Sequence, residues 1–600
     1  MTETVKSLPA RSEIPQELKW DVESVFSDDE AWEQAYTECA KLSEKADSYR
    51  GKLGKSADSL ADFLHYQDTV CQKLEKLYLY ANMKQDEDNA NPIYQGLSDK
   101  IQGLAVRLSA ALAFAEPEIL AIDPQLLNRW CREEPLALYQ RYLQEITRTA
   151  PHIRNAQEEE ILALAGDLSA APRNIFTMFN NADLKFPVIT DEKGNETELT
   201  HGNYIVFMQS PDRNVRETAF RGLYGAYDAH KNSLAAMMTA NIKKDLFHAK
   251  VRNYPSALEA ALFNEEIPVK VYEQLIAGVR ENLPDFFRYL QLRRKALGVD
   301  ELHLYDIYVP LFQEQQTEIP YEEAKEIVLA ALLPLGEEYQ SVARRAFSDG
   351  WVDVMENRGK TSGAYSSGVY GTKPFILLNY QNNLDSVFTL AHELGHSMHT
   401  YFSNHTQPYV YSNYEIFVAE VASTVNETLL LRYLLNKETD TNRRLRLINY
   451  YLDQFRGTVF RQTMFAEFEK IVHEHAEQGR PLSCEYYRQV YYQLNRDYFG
   501  DGMVIDQAID MEWSRIPHFY RSFYVYKYAT GFTAASALAG GILEKGAPAV
   551  ADYLKFLRGG CSHSPIELLR IAGVDMEDPA TLNRAFAVYH QFLEDLADLL

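Results

Sequence analysis

Six hundred residues, 46% hydrophobic and 24% charged, have ordinary globular composition, which excludes disordered and collagen-like classes. The 60 basic and 85 acidic residues leave a net charge of −25, with no Lys/Arg block against it, so a nucleic-acid partner is excluded by repulsion from the phosphate backbone. Five scattered cysteines (Cys39, Cys71, Cys131, Cys484, Cys561) argue against a disulfide framework and suit a reducing compartment.

The N-terminal stretch Met1 to Leu18 is polar and lacks the apolar run of a secretory signal. Charge breaks every apolar stretch before the roughly 18 residues of a membrane span. A cytoplasmic protein without membrane contact is expected. Ser59 to Cys71 sets Leu60, Phe63, Leu64 and Cys71 at helical spacing, and Leu104 to Phe114 repeats the pattern with strong helix formers. Lys185 to Leu199 has β-favouring runs on either side of Lys193-Gly194-Asn195, which predicts a hairpin. That hairpin separates two long helical blocks, so a boundary is expected near residue 200, with an N-terminal helical region at 1–200 and a catalytic region at 201–600. Pro211-Asp212 and Pro255-Ser256 supply helix starts. Gly359 to Tyr380 begins rich in Gly and Ser and ends in Pro374-Phe375-Ile376-Leu377-Leu378-Asn379-Tyr380, a strand after a flexible loop. The fold expected is mainly α, with one small β-sheet.

The informative segment is Leu390 to His399, which contains His392-Glu393-Leu394-Gly395-His396. On a helix, imidazoles at i and i+4 lie about 40° apart on one face and can share one metal ion. Glu393 sits where its carboxylate can reach a metal-bound water. A catalytic zinc needs three protein ligands and one open position. The longer pattern with a third histidine fails, because the chain has His399 and Phe402 where Gly and His would be needed. A glutamate on a following helix is the alternative. Glu420, 24 residues after His396, is one candidate, and Glu415 and Glu427 compete with it. His399 lies on nearly the same face as His392, but three ligands from one straight helix would crowd a tetrahedral site, so a supporting or packing role is expected for it.

The run His392 to His399, followed by Phe417-Val418-Ala419-Glu420, resembles the thimet oligopeptidase family of zinc metallopeptidases, and most closely its bacterial oligoendopeptidase F branch. The likeness extends to Ile516-Pro517-His518, to Phe523 through Gly531, and to Ser564 through Leu569, covering roughly 200 to 590 well and the first 200 residues only generally. The resemblance implies Glu420 as the third ligand of one zinc per chain. It implies a prolate helical body with a deep substrate channel around the metal, admitting unfolded oligopeptides and excluding folded proteins. It also implies a role for the strand before the metal helix, Phe375 to Tyr380, in pairing with an extended substrate. His518, Tyr528 and Tyr524 match the residues that bind the developing oxyanion. On spacing alone, Tyr520, Tyr524 and Tyr528 read as an aromatic stripe on one helix started by Pro517. The implied reaction is endopeptidase cleavage by zinc-activated water, with Glu393 as general base.

A phosphate-binding loop is excluded because Val369 stands where lysine is required after Gly363 and Gly368. No Gly-x-Ser-x-Gly elbow supports a serine hydrolase. Cys561 and His563 make neither a zinc site nor a nucleophile pair. The stretch Gly359 to Gly371 reads equally as a mobile rim or an ordinary surface loop. A catalytically silent peptide binder and a carboxypeptidase or dipeptidyl carboxypeptidase remain the alternative readings.

Overall fold

Helical periodicity read from the sequence holds along most of the chain. The structure, a computed structural model, describes residues 7–312 and 318–600; the first six residues of the polar N-terminal stretch lie outside them. In chain order the principal helices are α1 (Ala57–Glu87), α2 (Pro92–Leu112), α3 (Lys231–Val251), α4 (Gly336–Ser348), α5 (Leu384–Thr406), α6 (Ile416–Lys437), α7 (Arg461–Glu477) and α8 (Tyr526–Lys545). No described helix is long and apolar enough to cross a membrane. Contacts divide the chain into two units. The first is Met1–Pro151, Gln316–Tyr433 and Gly541–Gly573; the second is His152–Gln315, Leu434–Gly540 and Val574–Leu600.

In the first unit, α1 and α2 follow from apolar residues at three- and four-residue spacing. Leu60, Phe63, Leu64, Leu77 and Tyr80 of α1 meet Leu97, Ile101, Leu104 and Leu108 of α2 in one buried cluster. The Ser56 hydroxyl caps α1 by accepting from Ser59 N, and Asn91 with Pro92 starts α2. A three-stranded sheet lies beside this core, with β3 (Val352–Asp353), β4 (Tyr365–Ser367) and β5 (Phe375–Leu377) in the order β3-β5-β4. β5 runs parallel to β3, pairing Val352 with Ile376, and antiparallel to β4, pairing Ser366 with Ile376.

Two expectations change here. β5 is the central strand, paired on both sides, so its backbone has no edge to offer a substrate; β4 is the edge strand nearest it in sequence. The supposed loop 359–371 contains β4 and is tied to the end of α1. Thr361 N donates to Asp86 O, Asn89 N to Gly359 O, and the Tyr365 hydroxyl to Asp86 Oδ2 at 2.6 Å. Gly359, at φ 83°, has no room for a Cβ against Asp88.

In the second unit, the expected hairpin is present as β1 (Val188–Thr190) antiparallel to β2 (Glu196–Glu198), closed by a turn in which the Asp191 carboxylate accepts from Lys193 N and Asn195 N. It lies within the second unit, not between the two. Asp212 and Ser256 cap the helices they precede, as the Pro-Asp and Pro-Ser pairs predict. Rings cluster in the core: Phe455 and Phe460 contact each other and both contact Phe586 and Tyr589, with centroids 4.6–5.7 Å apart. Two buried carboxylates are matched to arginines. Asp306, 0% exposed, holds Arg213 and Arg216, each at 2.8 Å, and Glu512 holds Arg461 at 2.6 Å and Arg515 at 3.1 Å.

Candidate metal centre

Asn383 caps α5 through Ser386 N, and the helix buries Val387, Leu390, Ala391, Leu394, Met398 and Phe402 along one stripe. Burial of that stripe turns His392 and His396 together. Their Nε2 atoms stand 3.1 Å apart. Glu420 of α6 brings its Oε2 to 3.4 Å from the first and 3.5 Å from the second. Edges of 3.1, 3.4 and 3.5 Å match the separation of about 3.3 Å between neighbouring ligands of a tetrahedral ion with bonds near 2.0–2.1 Å. The donor set suits zinc, since two imidazole nitrogens and one carboxylate oxygen are its usual partners. Among the described residues this is the one group of three with metal-ligating atoms so close together. The Glu420 side chain remains 41% exposed, which leaves one side of the triangle accessible.

The surrounding residues explain why these atoms converge. Glu427, seven residues or about two helical turns beyond Glu420 on α6, hydrogen-bonds His392 Nδ1 and so directs Nε2 to the triangle. The Ser423 hydroxyl donates to Glu420 O at 3.0 Å and Oε2 at 3.2 Å, holding the carboxylate. Asn426 Nδ2 donates to Ala391 O at 3.0 Å, while its Oδ1 accepts from Tyr339 of α4 at 2.9 Å. Ser397 meets Ser366 of β4 at 2.8 Å. Gly395 lets the two helices touch, because a Cβ there would lie 2.5 Å from Ser423 Cα and 2.6 Å from Ala422 O.

Electrostatics favour a cation. Burial presses the His392 pKa down, but Glu420 and Glu427 outweigh it and raise the pKa to about 10. Burial likewise opposes ionisation of Glu420, yet the two imidazoles hold its carboxyl well below the usual range. Glu393 is 7% exposed, and burial raises its pKa, reinforced by Glu420 and Glu427 and opposed by the histidines. His399 takes no part in the triangle. It is fully buried, stacked 3.7 Å from the Tyr414 ring, and burial pushes its pKa down to about 3. Glu415 is outside the group of three, and Glu427 acts on the far nitrogen of His392.

The second unit carries the other predicted residues. Pro517 starts a 3₁₀ helix, Pro517–Tyr520, and α8 begins only at Tyr526. The tyrosine stripe on one helix is therefore not formed: the chain turns at Phe523, φ 58°, and Tyr520 is buried against Phe176 with centroids 4.4 Å apart. The turn brings His518, Tyr524 and Tyr528 into a cluster instead. Ring centroids are 6.2 Å (His518–Tyr524), 6.0 Å (His518–Tyr528) and 5.5 Å (Tyr524–Tyr528), with the Tyr528 hydroxyl 3.5 Å from His518 Nε2. Arg521 lies over the Tyr524 ring at 4.2 Å. Partial burial, then the charges of Arg461 and Arg521, lower the His518 pKa and so favour the neutral ring.

A helical body with two histidines one turn apart, a facing glutamate and an adjacent buried glutamate defines a metallopeptidase. The sequence pattern of peptidase family M3 matches residues 206–588, and that of oligopeptidase F matches residues 118–186. Oligopeptidase PepF of Bacillus subtilis (strain 168) is 48% identical over 594 residues, covering 99% of this chain and 89% of that protein. Among solved structures, a putative peptidase from Chlamydophila abortus superposes with TM-score 0.93 at 33% identity, covering 99% of this chain and 100% of that one. Oligoendopeptidase F from Enterococcus faecium gives TM-score 0.73 at 39% identity, covering 95% and 99%. The chain belongs to peptidase family M3, in its oligoendopeptidase F branch.

Proposed function

We propose that the protein hydrolyses internal bonds of short, unfolded oligopeptides, using one zinc ion held by His392, His396 and Glu420. The observation that carries this reading is the triangle of ligand atoms with edges of 3.1–3.5 Å and the buried Glu393 next to the first histidine in sequence. Zinc bound there would act as a Lewis acid and lower the pKa of a water to about 7. Glu393 carries the proton: it accepts from the attacking water and returns the proton to the leaving amine, a task its raised pKa suits. Glu427 keeps His392 in the tautomer with Nε2 free, and Ser423 keeps the Glu420 carboxylate in place. His518 and Tyr528, with Tyr524 beside them, donate to the oxygen on which charge develops; loss of one such donor lowers the rate about 10²–10³-fold. Family resemblance and the clustering of these three side chains support that assignment. Five free cysteines fit a cytoplasmic setting.

The test combines elemental analysis with cleavage of an end-blocked fluorogenic peptide, in wild type and Glu420→Ala. About one zinc per chain, lost in the variant together with activity, is the expected result. Full zinc in Glu420→Ala would reject the ligand set. Zinc without cleavage of the blocked peptide, but with cleavage of the same peptide bearing a free C-terminus, would favour a carboxypeptidase.

A further inference from the structure

Glu469 of α7 is a carboxyl group buried with no cationic partner among the described residues. It is 0% exposed; one oxygen, Oε1, accepts the Phe523 backbone N–H at 2.8 Å, and Oε2 has no hydrogen-bond partner among the described residues. Burial, joined by the nearby Asp245 charge, drives its pKa well up against the pull of the Phe523 N–H, which disfavours the carboxylate form. An apolar residue would be cheaper to bury but would orphan that N–H.

The N–H belongs to a residue that needs holding. Phe523 sits at φ 58°, in the left-handed region that bulky side chains seldom enter, with its ring against His473 at 4.5 Å and Tyr272 at 5.9 Å. Its turn lies between His518 on one side and Tyr524 and Tyr528 on the other. Two residues of α3 grip the same turn. Asn241 Nδ2 donates to Phe519 O at 3.0 Å and to Ser522 Oγ at 3.2 Å, and the Ser522 hydroxyl donates to Asp245 Oδ2 at 2.6 Å. Asp245 also meets Lys244 at 3.0 Å and His473 at 3.4 Å.

We propose that Glu469, with Asn241 and Asp245, is a positioning residue that fixes the Phe519–Phe523 turn and thereby holds His518, Tyr524 and Tyr528 in the arrangement that donates to the oxyanion. This rests on the oxyanion role assigned to those three side chains above. Small displacements of such donors are costly, since about 1 Å of misplacement can lower a rate about 10²-fold.

The test uses the full-length, zinc-loaded enzyme and an end-blocked fluorogenic peptide, with kcat, KM and zinc content measured for Glu469→Gln, Glu469→Met, Ser522→Ala, His518→Ala and the double variant His518→Ala/Glu469→Met. The glutamine amide oxygen can replace Oε1, so Glu469→Gln should stay within about threefold of wild type in kcat. Glu469→Met should lose about 10–100-fold in kcat, with KM within about twofold and full zinc. Ser522→Ala should lose about 3–10-fold in kcat, and the double variant should fall less far below His518→Ala than Glu469→Met falls below wild type, because only the share carried by Tyr524 and Tyr528 remains to be lost. Wild-type kcat in Glu469→Met, an equal loss in Glu469→Gln, or multiplicative losses in the double variant would overturn the proposal. Should Glu469→Met fail to fold, wild-type kcat in Ser522→Ala would do the same. Wild-type kcat in His518→Ala is a separate signature, which rejects the oxyanion assignment itself.

Discussion

Substituting Gly395 by alanine adds one methyl group where α5 meets α6. That methyl would lie 2.5 Å from Ser423 Cα, 2.6 Å from Ala422 O and 2.8 Å from Ser423 N, whereas ordinary contact begins at 3.4 Å. All three atoms are backbone, so no side chain can swing away, and the helices must part by roughly 1 Å. Alanine gains about 1 kcal/mol of helix propensity over glycine, but overpacking costs about 1–3 kcal/mol, so stability should change little or fall slightly. The metal centre has less tolerance. His392 and His396 ride on α5 and Glu420 on α6, and a zinc site accepts departures of about 0.2 Å in its bond lengths. Gly395→Ala should therefore weaken zinc binding about 10–100-fold or more, read by competition with a chelator of known affinity, with peptide cleavage falling in step and the circular dichroism spectrum retained. Wild-type zinc affinity and activity in this variant would refute the coupling between helix separation and the ligand triangle.

Glu427→Ala should lower zinc affinity about 10–100-fold without removing a ligand, because His392 Nδ1 loses its carboxylate, and the same competition measures it. His399→Phe should keep full zinc and a melting temperature equal to or above wild type, since both ring nitrogens are buried without hydrogen-bond partners among the described residues; loss of zinc would reject the packing role. Glu512 gives a pH test. Burial opposes its ionisation, but Arg461, Arg515 and the Tyr491 hydroxyl hold its pKa down to about 2, below the ordinary 4.5. Its contribution is present above about pH 4.5 and is lost as pH falls through about 2, so the melting-temperature gap between wild type and Glu512→Gln should be widest near neutrality and shrink in acid. A gap that does not narrow below about pH 4.5 would contradict this.

Local patterns were well legible in the sequence. The apolar spacing of Leu60, Phe63 and Leu64, the Lys193-Gly194-Asn195 turn and the caps at Asp212 and Ser256 act within a few residues, and each forms the element expected. The histidine pair was legible for the same reason, since one helical turn settles its geometry. What long-range packing decides was not. β5 becomes central only because β3 and β4, from either side of residue 360, close on both its edges. The tyrosine spacing was misleading because Phe523 leaves helical φ, held by Glu469 from 54 residues earlier in the chain. Spacing left Glu415, Glu420 and Glu427 as competitors and the family resemblance singled out Glu420, but only the fold shows Glu427 set against His392 Nδ1.

The alternation of segments between the two units bears on how the chain is made. The first unit lacks Gly541–Gly573 and the second lacks Val574–Leu600 until those residues leave the ribosome, so neither has its full complement of contacts while the first 540 residues emerge. Nascent protein must wait, partly structured and exposing apolar faces, for almost its whole synthesis. Chaperone engagement should accordingly persist late into translation, and no single cut in the chain would release either unit as one continuous fragment.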